Sequence, residues 1–397
     1  MEEFVSWLKA HGAQVDTLAV VDGLKGGRGV IATRDLPAGD TVFVIPEKLM
    51  ISEASVKLDD DLGPIFTRHL DLFTRDDPLL STFLTYHIHL ERDSFYFPYL
   101  SILPEPESIQ NWTLDQLAAL QHEELSRIAK KRNTEIELWY ERITTRLFRM
   151  YPELLNGDNF PFKTFRFAWQ TVQARTFGRR LPWTALVPLA DMLNHANHAT
   201  VYEYKDGQFQ WHSSVMYEKG QQVFNSYGRR PNHQLLLDYG FALDNNPWDY
   251  MDVDLLLETF WSSLLSISER RNLLLKAHLT PSKTKFRLTL EYNVETMVPY
   301  CRCYFLKEYL DTIDILEPIK DVAVETQVWK ALHDVFSALL QTDPTTLDTD
   351  EAMLKKEDLP DRLRTALTFR INRKRILSNA MDKAKSMIQS TQITAHV

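Results

Sequence analysis

Residues 111–148, NWTLDQLAALQHEELSRIAKKRNTEIELWYERITTRLF, carry a helical pattern and stand between two regions that read as strands. A chain that goes back to strands after such a block reads as a β fold with a helical insertion. Leu114, Leu117 and Leu120, then Leu125 and Ile128, recur at helical intervals, and Thr113 followed by Gln116 has capping-box spacing. Before the block, GGRGVIA, LPAGD and TVFVIP read as strands and turns, so the first 50 residues are expected to form a small β unit. After it, TALVPLADML and TVYEYKDGQFQWHS restore strand character, and Asp206-Gly207 between alternating segments marks a hairpin. Beyond about residue 250 helix returns, with Val328, Leu332, Val335, Phe336 and Leu339 on one apolar face. TDPTTLDTDE, residues 342–351, is the best loop candidate there.

The 397 residues, 44% of them hydrophobic, suffice for two domains with a substantial core. Cys301 and Cys303 are too few and too close for a disulfide framework, which points to a reducing, intracellular setting, cytoplasmic or nuclear, with an organelle left open. The start, MEEFVSWLKAHG, places two acids before its apolar residues and does not read as a signal peptide. No stretch approaches the ~18 apolar residues of a membrane span, so no membrane is expected. A net charge of -9 argues against an obligate nucleic-acid binder and leaves basic proteins open as substrates.

Four stretches carry candidate chemistry. LADMLNHANH (189–198) sets Asp191, His195 and His198 at i, i+4 and i+7, which on a helix would place zinc or iron ligands on one face. No Glu follows the first His and no cysteine pair is near, so a satisfied polar cluster or a different active-site role stands beside the metal reading. GLKGGRGV (23–30) has neither phosphate-loop spacing, which leaves a turn whose backbone closely approaches something, or an ordinary turn between strands. In FNSYGRRPNHQLLLDYGF (224–241), Tyr227 and Tyr239 each precede a glycine, and NHQLLLDYG reads as a short helix ending at its glycine. Their hydroxyls either face a cleft or are satisfied in a half-buried setting. VQARTFGRRL (172–181), with Arg175, Phe177 and Arg179, is a clamp for a charged ligand or a solvated edge.

In order and spacing these elements resemble the SET-domain protein methyltransferases, narrowly the branch typified by the Rubisco large-subunit lysine methyltransferase. The match runs from the Gly-x-Gly β start through the insertion, Arg-x-Phe, DMLNH, SYG and DYGF to the C-terminal helices. It implies an α+β chain: a SET fold of small sheets with a pseudoknot over 1–250, a helical insertion at about 57–165, and an all-α substrate-binding domain over 251–397. The implied cofactor is S-adenosyl-L-methionine, the implied partner a lysine-containing protein, and the chain is expected to act as a monomer. By resemblance, Gly26, Gly27 and Arg28 cup the cofactor through their backbone, Asn194 and His195 contact it, and Arg175 lies near cofactor and substrate. Tyr227 is the implied catalytic tyrosine beside the transferred methyl. Phe177, Arg179, Asp191 and Tyr239, with Tyr202, are the implied substrate-side positions around a lysine channel, and no metal is implied.

Ala196 and Pro231 stand where many relatives carry Ser, and the cysteine-rich zinc segment of many SET enzymes is absent; neither difference touches an assigned role. The branch also holds protein-histidine methyltransferases, whose pocket has Asn and Trp where this chain has Phe177 and Ala190. An aromatic wall suits the apolar stem of lysine better than an imidazole that needs a polar partner. Histidine methylation, and a SET-fold binding protein without turnover, are the alternatives; intact Tyr227, Asn194 and His195 argue against the second.

Overall fold

The computed structural model describes residues 1–24, 27–178, 180–291 and 293–394. The chain divides into two compact units, the first made of 1–111, 124–229 and 237–240, the second of 112–123, 230–236 and 241 onward. Among the described residues no helix is long and apolar enough to cross a membrane.

In the first unit the strands are short: β1 (Leu18–Leu24), β2 (Gly27–Ala32), β3 (Thr41–Pro46), β4 (Ile51–Ser52), β5 (Thr176–Phe177) and β6 (Ala185–Leu186). They are followed by β7 (Asn194–His195), β8 (Val201–Lys205), β9 (Gln208–His212) and β10 (Gln222–Asn225). Three small sheets result, in the orders β1-β2-β10-β7, β3-β9-β8 and β4-β6-β5. The β8–β9 hairpin closes at Asp206 and Gly207, whose φ angles of 51° and 72° are the left-handed pair that a two-residue turn requires.

The β start has one addition. Residues Glu2–Ala10 are a helix whose Phe4, Trp7 and Leu8 are buried at i, i+3 and i+4, with Glu2 and Glu3 at its positive end. The helical insertion begins with Glu53–Lys57 and ends with Phe162–Arg175, so its last helix runs ten residues beyond the expected end near 165 and delivers Arg175 at its terminus. Its longest helix, Glu123–Met150, buries Leu125, Ala129, Ile136, Ile143 and Leu147 along one stripe.

The second unit is helical, built mainly on Val322–Thr342 and Asp361–Thr394, with Val328, Leu332 and Phe336 in one core with Ile376, Leu377 and Ala380. One two-stranded antiparallel sheet, β11 (Tyr250–Asp254) with β12 (Lys285–Thr289), accompanies the helices, so the domain is not all-α. The expected loop at 342–351 shrinks to a few residues, because Thr346 accepts a hydrogen bond from the Thr349 N–H (3.2 Å) and starts the helix Leu347–Leu354. That helix carries Asp350 into the interior, where Arg370 and Lys374 (2.6 Å) neutralise it. Arg370 also donates to the Ala119 carbonyl (3.0 Å), which is why the Thr113-capped helix Leu114–Ala118 belongs to this unit.

The break between the units does not fall at 250. Asn232 donates from Nδ2 to Asp249 (2.8 Å) and to the Leu243 carbonyl (2.9 Å), tying 230–236 to the stretch before β11. Burial pushes the Asp249 carboxyl up to about 6, against the hydrogen bonds that Asn232 and Tyr250 donate to it. A folded pKa above the unfolded one means a stabilising contribution that is full at low pH and is lost as pH rises through about 6. The stability of the native chain relative to Asp249→Asn should therefore fall between about pH 4 and about pH 6, the window set by the unfolded and folded pKa values. Denaturant titrations of both proteins across that range check it, and a flat difference would remove Asp249 as the cause.

Candidate active site

Strand order places the polar groups. β7 runs parallel to the last strand of its sheet, with Asn194 opposite Phe224 and His195 opposite Asn225, and the Ala196 N–H donates to the Asn225 carbonyl (3.0 Å). Alternation along β7 then turns the N–H and C=O of His195 to the edge away from β10. Two residues past β10 comes Tyr227, whose N–H donates to His195 Nδ1 (3.0 Å). A ring nitrogen that accepts this bond carries no proton, which places the proton of a neutral imidazole on Nε2. The two rings stack with centroids 5.1 Å apart.

Asn194 works in the opposite direction along the sheet. Its Nδ2 donates to the Arg28 carbonyl (3.1 Å) and to Gln222 Oε1 (2.9 Å), so it joins the glycine segment to β10. A Cβ at Gly29 would lie 2.9 Å from that nitrogen, so a larger residue there would push the Asn194 amide aside. Arg28 itself reaches the Ile102 carbonyl (2.5 Å) and Asp22 (3.3 Å).

Tyr227 is half-buried, and its hydroxyl donates to the Leu193 carbonyl (3.0 Å). Burial pushes its phenol above the ordinary range while Arg175 opposes the shift, so it stays protonated at neutral pH. Tyr239, the last residue of the helix Asn232–Tyr239, packs its ring 4.6 Å from that of Tyr227. Gly240 ends this helix at φ 81°, and a Cβ there would fall 1.9 Å from the Glu107 carbonyl oxygen. Gly240→Ala should therefore cost about 2–4 kcal/mol, from left-handed strain plus overpacking. A chemical-denaturation midpoint equal to that of the native chain would show that the backbone yields instead.

Beneath these groups lies an ion pair. Arg175 Nη1 donates to the main-chain oxygen of Asp191 (2.9 Å) and to its Oδ2 (3.2 Å), and the Tyr99 hydroxyl donates to the same Oδ2 (2.8 Å). The Asp191 side chain has 0% exposure. A carboxylate this deep is tolerable only against a cation and a donor, and Arg175 and Tyr99 supply both. Burial raises its pKa, with Arg175 the largest opposing influence.

Phe177 and Tyr202 form a second group. The Phe177 ring is buried and meets Tyr202 edge-on at 5.5 Å and Phe209 at 5.4 Å, and Tyr202 stacks on Phe209 at 5.2 Å. Gly26 and Arg179 lie outside the described residues. The metal arrangement does not form: Asp191 sits in a 3₁₀ turn and His195 in β7, while His198 Nε2 meets the Tyr217 hydroxyl at 3.2 Å. Among the described residues no three His, Cys, Asp or Glu side chains converge. Sequence reasoning missed Tyr99, which comes from the insertion 92 positions before Asp191, and Gln222.

A SET-domain family model matches residues 27–228. The chain belongs to the SET-domain family. A model of the Rubisco LSMT substrate-binding domain matches residues 266–377 of this SET-domain protein methyltransferase. Actin-histidine N-methyltransferases of Papio anubis and Homo sapiens are each 26% identical to it, over 96% of this chain and 68% of theirs. The solved SET domain of LSMT bound to lysine and AdoHcy shares the fold at a TM-score of 0.68 and 20% identity, covering 98% of this chain and 92% of that one. Rubisco LSMT bound to sinefungin and monomethyllysine does so at 0.70 and 20%, with the same coverage.

S-adenosylmethionine, the cofactor of the family, suits the residues present. The Asn194 bridge fixes the glycine segment beside β10 and β7, where a ligand with an amino-acid end would meet main chain.

Proposed function

We propose that this protein transfers a methyl group from S-adenosylmethionine to the side-chain amine of a lysine in a protein substrate. The observation that carries the choice of lysine is Phe177, buried edge-on against Tyr202 and Phe209. Its ring offers apolar surface for a butyl stem and no hydrogen-bond partner for an imidazole nitrogen.

The bound cofactor supplies a sulfonium-activated methyl group. Transfer is an in-line displacement, so the protein's task is to hold the amine nitrogen on the far side of the methyl carbon. Tyr227 serves as the positioning hydroxyl: its own proton is directed to the Leu193 carbonyl, and its oxygen can accept from the amine. A phenol that keeps its own proton is not available to take another, so the lysine must lose its proton to water before attack. Desolvation next to a positive sulfonium lowers the ammonium pKa and favours that loss. Asp191, held by Tyr99, keeps the Arg175 guanidinium fixed beside the site.

Histidine transfer is the second reading, favoured by the names of the 26%-identical relatives. Two peptides cut from an accepted protein substrate, identical except for Lys or His at the methylated position, separate the readings. The expected result is transfer to the lysine peptide alone, with Phe177→Asn narrowing the gap. Preferred transfer to the histidine peptide would overturn the lysine reading.

A further inference from the structure

We propose that a groove in the second unit docks an acidic, amphipathic segment of the protein substrate. Leu257, Leu274, Tyr300 and Tyr304, all buried, form the floor of this groove of about 590 Å³. Leu256 and Ile267 stand at its sides with 51% and 74% of their surface exposed.

The charges decide what fits. Among the described lining residues the one acid, Glu258, is held by Arg270 at 2.6 Å. Arg271 and Lys283, both exposed on the rim, have no carboxylate partner among the described residues; the Lys283 ammonium lies 4.7 Å from the centre of the Phe286 ring. The groove is thus locally cationic on a chain whose net charge is -9. The rim attracts an acidic segment against the overall negative charge of the chain, a contrast that gives specificity of place. Alternating apolar side chains would enter between Leu256 and Ile267 while carboxylates meet Arg271 and Lys283.

The inference rests on the proposed transfer to a protein substrate, and its test reads binding without transfer. The probes are a fluorescein-labelled peptide alternating glutamate with leucine and a matched peptide with lysine for glutamate, titrated with the full chain and followed by anisotropy. The acidic peptide should bind, weaken with added salt, and lose about tenfold in affinity in the double variant Arg271→Glu/Lys283→Glu. Ile267→Asp should weaken it independently, and an unchanged circular-dichroism spectrum and denaturation midpoint show that each variant is folded. No binding of the acidic peptide, equal binding of both peptides, or acidic binding that ignores the double variant would overturn the proposal. So would tighter binding of a polyuridine RNA, which would assign the groove to nucleic acid. If the methylated residue proved to be histidine, the groove result would stand; if the groove failed, transfer to lysine would be unaffected.

Discussion

Tyr227→Phe should keep its affinity for S-adenosylmethionine and lose at least about 10²-fold in kcat, the usual scale for a positioned hydrogen-bonding group. The substitution leaves the ring, and with it the contacts to His195 and Tyr239, while removing the oxygen that donates to Leu193. The implied cofactor contacts lie on main chain, on Asn194 and on His195, so calorimetry should return the native affinity. The split between the two readouts is what distinguishes a positioning role from a structural one. Turnover equal to the native enzyme would take Tyr227 out of the reaction.

The second large effect is expected at Asp191. Asp191→Ala leaves the Arg175 guanidinium, mostly buried, without its carboxylate, and breaking such a pair from one side costs about 3–5 kcal/mol. Activity should fall with it, because Arg175 loses the contact that fixes it beside Tyr227. Tyr99→Phe removes one hydrogen bond to the same carboxylate and should cost about 1–3 kcal/mol. Denaturation midpoints of the three proteins rank the effects; an Asp191→Ala protein as stable as the native chain would mean that the pair contributes only geometry.

The parts of this fold that were legible in the sequence are those where local chemistry and tertiary context agree. Asp206-Gly207 marks its hairpin because the turn needs left-handed residues at both positions, and Thr113 caps its helix through the spacing to Gln116. The N-terminal helix was readable too, since Phe4, Trp7 and Leu8 have helical spacing, but neighbouring strand signals masked so short a pattern. The sheet β11–β12 was not: its partners lie far apart in sequence, and strand propensity depends on the surface a strand packs against.

The site divides in the same way. Asn194 and His195 lie in β7 and Tyr227 two residues past its partner β10, so the pairing of these strands brings them together and a motif could stand for the geometry. The helix-face arithmetic at Asp191 and His198 failed because a 3₁₀ turn and a strand replace the helix it assumed. The inward turn of Asp191 depends on Tyr99 in the helical insertion, a long-range contact with no local signature. Arg175 was visible as a charge, but its carboxylate partner could be identified only in three dimensions.

The most direct measurement is the chemical identity of the methylated side chain. The enzyme is incubated with S-adenosylmethionine carrying a labelled methyl group and a whole-cell lysate, and the labelled protein is recovered, hydrolysed to amino acids and resolved. The label should co-migrate with Nε-methylated lysine and disappear with Tyr227→Phe. Label recovered as methylhistidine, or label that survives Tyr227→Phe unchanged, would contradict the proposed transfer.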